Sequence, residues 1–357
     1  MPKSPYKPLC RIHAMFPLDP GRHLHYNTGM QINESTASKP LRVLLLGATG
    51  TIGQATLSAL LAQGHEVVCW VRPGHHPPLA SKAQFRAVDV TQADADWTQG
   101  MHQERFDAVV SCMASRTGLP QDAWRVDHQA HMNVLQAAQK AQVRHFVLLS
   151  AICVQKPKLA FQHAKLAFEQ ALMASGLTYS IVRPTAYFKS LSGQIERVRR
   201  GQAYWVLGQG RLTACKPISD ADLADYLVGC LHDPQRHNRV LPIGGPGPAL
   251  TPIDQAQALS QLLGQPVRIK HMPVAVLQAI ASTLGLLGRF SEPLRAQSEL
   301  ARIGLYYATE SMLVWDPQAQ RYDADATPEH GQDTLIEFYE SVLKKNERIH
   351  LGDHAVF

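Results

Sequence analysis

Short apolar runs recur along the first half of the chain, separated by longer stretches with helical spacing. The run at 41–46, LRVLLL, is apolar apart from Arg42, which suits a strand buried on both faces of a parallel sheet. A helical pattern follows at 51–63 and is closed by Gly64, a residue suited to the cap position beyond a helix. Further strands are expected at 66–71 (EVVCWV), 85–88, 106–111, 144–150 (RHFVLLS) and 178–182, with a helix at about 122–141. Strands and helices alternating at this pitch predict an α/β fold. Its sheet would be parallel and doubly wound, with ligands at the C-terminal edge of the strands.

The second half reads differently. Residues 272–288 are uncharged between His271 and Arg289, but too short and too interrupted by Gln, Ser, Thr and Gly for a membrane span. A buried helix or a pocket lid is expected there, with peripheral contact at a membrane surface as the lesser reading. Residues 316–329 read as a polar loop and 333–345 as a final amphipathic helix. Residues 1–40 lack periodicity and are rich in turn formers, so they read as a disordered extension, with Met30 as an alternative start. They also lack the apolar core of a secretory signal. The expected organisation is an extension at 1–40, a nucleotide-binding domain at 41–184 and a smaller α+β substrate-binding portion at 185–357, packed on that domain.

Composition narrows the function classes. With 45% hydrophobic and 18% charged residues over 357 positions, the chain is globular with ample core. A net charge of +6 suits an acidic ligand, an anionic membrane surface or nucleic acid. No basic block interleaved with aromatics supports nucleic acid, so no nucleic-acid partner is expected. The cysteines form no C-x-x-C pair and read as reduced, buried residues of a cytoplasmic protein. The histidines show no metal-ligand spacing, and His75-His76 falls in a proline-rich loop, so no bound metal is expected.

The chemistry begins at the turn after the first strand. Gly47, Gly50 and Gly53 follow one another at three-residue spacing between a strand and a helix. A side chain there would keep the backbone from a pyrophosphate seated on the helix N-terminus. This G-x-x-G-x-x-G form resembles the extended and atypical short-chain dehydrogenase/reductase superfamily, which implies a Rossmann-type fold. Gly47, Thr49, Gly50, Thr51, Ile52 and Gly53 are then the expected cofactor turn. At the end of the second strand stands Arg72 where an acid would favour NADH. A guanidinium can grip a 2′-phosphate with parallel hydrogen bonds, which favours NADPH. Asp89 and Val90 resemble the superfamily's adenine-contacting pair, and Ser111 and Met113 stand at the end of the fourth strand.

Ser150 occupies the position of the superfamily's catalytic serine. The usual Tyr-x-x-x-Lys appears here as Phe161-Gln-His-Ala-Lys165, so the proton-donating phenol is absent while the lysine that holds the nicotinamide ribose remains. Pro184 corresponds to a proline that shapes the nicotinamide pocket. That departure argues against ordinary carbonyl reduction and leaves cofactor binding intact.

Longer motifs sharpen the resemblance. RPTAYFKSLSGQIE from Arg183, LTACKPIS at 212–219, VLPIGGPGPALTP at 240–252, GLYYATESMLVWDP at 304–317 and the ending LGDHAVF closely resemble the divinyl chlorophyllide 8-vinyl reductase family. The resemblance spans about 40–357 and implies NADPH-dependent reduction of a C8 vinyl group to ethyl on a divinyl chlorophyllide or protochlorophyllide, a magnesium tetrapyrrole. It also implies Phe at 161. Lys165, Ser150 and Tyr187 are the expected catalytic residues, with Tyr187 the nearest candidate proton donor by placement. Aromatics at Tyr187, Phe188, Tyr204, Trp205, Tyr306 and Tyr307 could face the macrocycle, and Lys189, Arg197, Lys216 and Lys270 its carboxylate. The expected compartment is the bacterial cytoplasm, at or near photosynthetic membranes, or the plastid in a eukaryote. Two competitors stand beside this reading. One is a non-catalytic NADPH-binding regulatory or assembly protein of the same fold. The other is a sugar-nucleotide epimerase, which would want both the missing tyrosine and NAD.

Overall fold

The computed structural model describes residues 39–74, 82–92, 95–288 and 291–345, with backbone alone at 95–98. The extension, Cys10, His75-His76 and the ending LGDHAVF lie outside the described residues, save the last two positions of the stretch 1–40. The first apolar run forms β1 (Arg42–Leu46). Val43 and Leu45 enter a core on one face of the sheet, while Leu44 and Leu46 enter a core on the other. A strand covered on both sides has no solvent-facing positions, hence its unbroken hydrophobicity.

Helix α1 (Thr51–Ala62) leads to β2 (Glu66–Val71) and β3 (Gln84–Ala87), then α2 (Ala95–Glu104) and β4 (Ala108–Ser111). The helix expected at 122–141 begins as α3 (Pro120–Ala123), widens into a π-helical turn at Trp124–Ala130 and continues as α4 (His131–Lys140). Next come β5 (His145–Leu149), α5 (Ala160–Met173) and β6 (Thr178–Pro184). The rest supplies α6 (Ile195–Arg199), β7 (Tyr204–Leu207), α7 (Asp220–Gly229), β8 (Arg239–Ile243) and α8 (Pro252–Leu262). It ends in β9 (Ile269–Met272), α9 (Val274–Leu287), α10 (Glu292–Thr309), β10 (Val314–Asp316), β11 (Arg321–Asp323) and α11 (Leu335–Lys345).

Seven strands pair in the order β3-β2-β1-β4-β5-β6-β8. All pairings in this sheet are parallel, so every strand delivers its C-terminal end to one edge. The order reverses at β1, which is the topological switch where doubly wound sheets hold ligands. The last strand lies beyond Pro184, and α7 contributes Leu223, Tyr226 and Leu227 to the same core as α1. The segment after 184 therefore completes the sheet and covers one of its faces. A chain cut near Pro184 is expected to lose cooperative unfolding, because β6 would lose one of its two partners, β8, and the core around Leu57 and Leu60 its cover. Circular dichroism during thermal melting checks this.

Two stretches differ from expectation. The polar segment 316–329 contains one strand of an antiparallel hairpin, β10–β11, whose Trp315 and Tyr322 rings meet edge to face at 4.9 Å. Asp316 nucleates its turn by accepting from the backbone N–H groups of Gln318 and Ala319, a side-chain contact that periodicity does not register. The uncharged segment at 272–288 is indeed a helix, but Ala281 alone among the residues of α9 is buried. It packs along α10 and leaves Val276, Ile280, Leu286 and Leu287 exposed.

Candidate active site

At the switch point the chain must turn back within a few residues, and glycine permits it. Gly47 adopts φ +76°, and a Cβ there would lie 2.6 Å from the Cys112 carbonyl carbon at the end of β4. Gly53 packs the start of α1 onto the turn so tightly that a Cβ would stand 2.0 Å from the Gly47 carbonyl oxygen. Gly50 differs: it is the N-cap, extended, with nothing nearer than 3.5 Å to its own missing Cβ. No side chain caps α1 and no acid stands in its first turn. The first N–H groups of the helix thus face an open cradle with a positive end, suited to a phosphate. Thr49 is exposed, Thr51 half-buried, and Ile52 anchors the helix in the core.

The neighbouring strand ends lie along the same edge of the sheet. Leu46 pairs with Trp70, so exposed Arg72 leaves β2 beside the glycine turn. Asp89 accepts from the Thr91 amide at 3.0 Å and from its hydroxyl at 2.7 Å, fixing the loop after β3. Val90 is buried, and its carbonyl accepts from Asn133 at 3.0 Å. Met113 is half-buried past β4. Pro184 closes β6 opposite Ile243. These placements fit a dinucleotide laid across the switch point.

Two expected residues turn elsewhere. The Ser111 hydroxyl is fully buried and lies 2.8 Å from His131 Nε2. His131 Nδ1 lies 2.9 Å from the Val126 carbonyl, to which it donates, so Nε2 accepts from Ser111. Burial first, then the charge of Lys165, pushes His131 down to about 4, which keeps the ring neutral. Ser150 is likewise buried, and its hydroxyl donates to Glu169, whose carboxylate pairs with Arg183. The Ser150 side chain, expected among the catalytic residues, serves a buried hydrogen-bonded ion pair between α5 and β6.

Lys165 stands on α5 with Nζ 2.9 Å from Asp127 Oδ1. Asp127 also accepts from the Ser115 amide at 3.2 Å and from its hydroxyl at 2.6 Å. The π-helical turn carries this carboxylate into the interior, a role such turns often have at functional sites. Sequence spacing gave no sign of it, since an ordinary helix was expected there. One turn before Lys165, Phe161 lies in an apolar cluster with Ile152, Cys153, Ile303 and Tyr306, so α10 packs over the place of the missing phenol.

The second half brings some of its aromatics here and leaves others away. Tyr307 on α10 has its hydroxyl 3.8 Å from Cys153 Sγ. Burial, with the fields of Cys153 and Tyr187 adding, holds the Tyr307 phenol well above its usual range, and burial raises Tyr187 too. Both phenols are therefore protonated at neutral pH. Tyr204 instead bonds to Gln255 at 3.2 Å in a separate core with Phe188 and Tyr339. Lys216 is buried against Glu329, and Lys270 lies over the Trp205 ring at 5.4 Å, so neither is placed for an incoming carboxylate. A cleft of about 380 Å³ adjoins the Phe161 cluster, lined by Leu159, Leu305 and Tyr306 with Lys158 and Arg302 among its charged groups. Cys112 is pushed up to about 12 by burial and is no nucleophile at neutral pH. No group of three metal-ligating side chains comes together among the described residues.

Comparison with known proteins now adds to the geometry. A family model described as NAD(P)H-binding matches residues 47–234. The chloroplastic divinyl chlorophyllide a 8-vinyl-reductase of Oryza sativa subsp. indica is 44% identical, with 90% of this chain and 84% of the relative covered. That of Cucumis sativus is 42% identical over 89% of this chain and 80% of the relative. Among solved structures, the NADPH complex of the quinone oxidoreductase QOR2 of Escherichia coli superposes with a TM-score of 0.60. It shares 18% identity over 84% of this chain and 99% of that one, a likeness of fold alone. With an NAD(P)H-binding Rossmann-type fold and relatives this similar over most of its length, the chain belongs to the divinyl chlorophyllide a 8-vinyl-reductase family.

Proposed function

We propose that this protein is an NADPH-dependent reductase that converts the C8 vinyl group of a divinyl chlorophyllide or protochlorophyllide to ethyl in chlorophyll or bacteriochlorophyll synthesis. The observation that carries the reading is the pairing of an intact glycine cradle and Lys165 with an apolar Phe161. When bound, NADPH supplies a hydride at its nicotinamide ring. The glycine turn holds the pyrophosphate, Arg72 the 2′-phosphate, and Lys165, steadied by Asp127, the ribose. Carbonyl reduction concentrates charge on one oxygen and needs an acid beside it. A vinyl group conjugated to a macrocycle spreads that charge through the ring, so alignment matters more than a fixed acid. Phe161 is tolerable on those terms, and the protonated phenol of Tyr187 is within the same region. The cleft beside Leu159, Leu305 and Tyr306 suits the flat apolar substrate, while its cations Lys158 and Arg302 are paired with Glu310 and Glu299.

The mechanism makes a paired prediction. Phe161→Tyr is expected to bring no large gain in turnover, and Tyr187→Phe to cost only a few-fold, because neither phenol carries the rate. Steady-state kinetics with purified divinyl chlorophyllide checks both; collapse of turnover in Tyr187→Phe would require a dedicated acid at that position.

No helix among the described residues is long and apolar enough to cross a membrane. The exposed apolar side chains of α9 support peripheral contact with a photosynthetic membrane, from which a pigment substrate could be drawn. The working compartment follows from the substrate: the plastid in a eukaryotic cell, the cytoplasm in a bacterium. The reading is tested by anaerobic incubation with NADPH and divinyl chlorophyllide and chromatography of the pigment.

A further inference from the structure

Lys189 follows β6 in a short 3-10 turn at Lys189–Leu191. Its ammonium donates to the Thr51 hydroxyl at 3.2 Å, and Thr51 is the first residue of α1. The side chain is half-buried, and no carboxylate among the described residues lies within ion-pair distance of it. The acid that feels its charge, Asp220 at the start of α7, is itself raised by burial, and its Oδ1 is buried without a hydrogen-bond partner.

This arrangement is electrostatically unfinished. A helix N-terminus carries a positive partial charge of roughly half a unit, so a cation beside it is repelled rather than held. Cations ordinarily stabilise the other end of a helix. Two like charges half-withdrawn from water are relieved by an anion between them. The sequence alone suggested a carboxylate of the substrate as the partner of Lys189, but its position beside Thr51 directs it to the glycine cradle.

The geometry points to Lys189 as a pyrophosphate-binding residue, reaching the cofactor beside the Gly47–Gly53 turn, where its ammonium meets Thr51. The inference rests on that turn being the cofactor site, and it adds a contact from outside the strand–turn–helix unit. The same segment carries Tyr187, whose backbone is bridged to Ile218. A phosphate gripped by Lys189 therefore fixes the chain that leads into the substrate side of the site.

The test is cofactor affinity of the full chain, read by titration calorimetry with NADPH and with NADH. Lys189→Met is expected to weaken both cofactors by a similar factor, roughly tenfold to a hundredfold for loss of a charge-assisted contact. Lys189→Arg should restore most of the affinity. Without cofactor, Lys189→Met relieves the repulsion from the α1 N-terminus and loses the attraction to Asp220, so it should melt close to the unmodified protein; a merely structural lysine would lower the melting temperature. Unchanged affinity for both cofactors in Lys189→Met overturns the inference, as does a loss confined to NADPH, which would put the contact on the 2′-phosphate. If the unmodified protein binds neither cofactor, the failure lies in the cofactor reading itself. Should Lys189→Met not fold, Lys189→Gln replaces it in the same measurement.

Discussion

Replacing Lys165 by alanine is expected to remove most of the turnover. In the proposed mechanism its ammonium is the one group on α5 that orients the nicotinamide ribose, and alignment is what vinyl reduction requires. Loss of a charge-assisted hydrogen bond costs about 1.5–3 kcal/mol, an order of magnitude or more in kcat/KM. A second effect comes from Asp127, whose side chain is 0% exposed and whose ion-pair partner is Lys165 at 2.9 Å. Removing one partner of a buried pair leaves the other charge stranded, at a cost of about 3–5 kcal/mol in stability. Kinetics must therefore be accompanied by thermal melting, and Lys165→Ala combined with Asp127→Asn should recover stability without recovering turnover. Turnover within a few-fold of the unmodified protein in Lys165→Ala would remove the lysine from the mechanism.

The second large effect concerns cofactor choice. Arg72→Asp is expected to weaken NADPH binding by about 1.5–3 kcal/mol and to erase or reverse the preference over NADH. The arginine is exposed at the end of β2, with no acid beside it in the chain to oppose a phosphate. The substituted carboxylate would repel a 2′-phosphate and accept from free ribose hydroxyls. Titration of both proteins with both cofactors checks the shift. Equal affinities in the unmodified protein would contradict the assignment of Arg72.

These two residues show what was legible in the sequence. Arg72 and the glycine turn lie within or beside a short strand–turn–helix unit whose order along the chain is its order in space. The apolar runs disclosed β1 and β5 because parallel strands covered on both faces carry hydrophobic residues at every position. The motifs from Arg183 onward disclosed the family, which no single residue could.

The hidden parts depend on distant chain segments or on helix irregularity. Asp127 lies in what reads as plain helix, and only the π-helical widening carries it to Lys165. Ser150 matches a catalytic position by spacing, yet the acid that takes its hydroxyl is nineteen positions away. Tyr307 and Cys153 meet across 154 positions and Lys189 and Thr51 across 138, contacts that no local pattern encodes. α9 misled in another way. Its uncharged sequence reads as a buried helix or a pocket lid, and the buried reading fails: it packs along α10 and leaves Val276, Ile280, Leu286 and Leu287 exposed.

The central claim is that this chain reduces a conjugated vinyl group with NADPH despite lacking the usual phenol. The purified protein, incubated without oxygen with NADPH and divinyl chlorophyllide a, should yield a pigment that chromatography separates as the 8-ethyl product, with matching loss of NADPH absorbance. Binding of NADPH with no 8-ethyl product under any reductant would contradict that claim and favour a non-catalytic, cofactor-binding protein of the same fold.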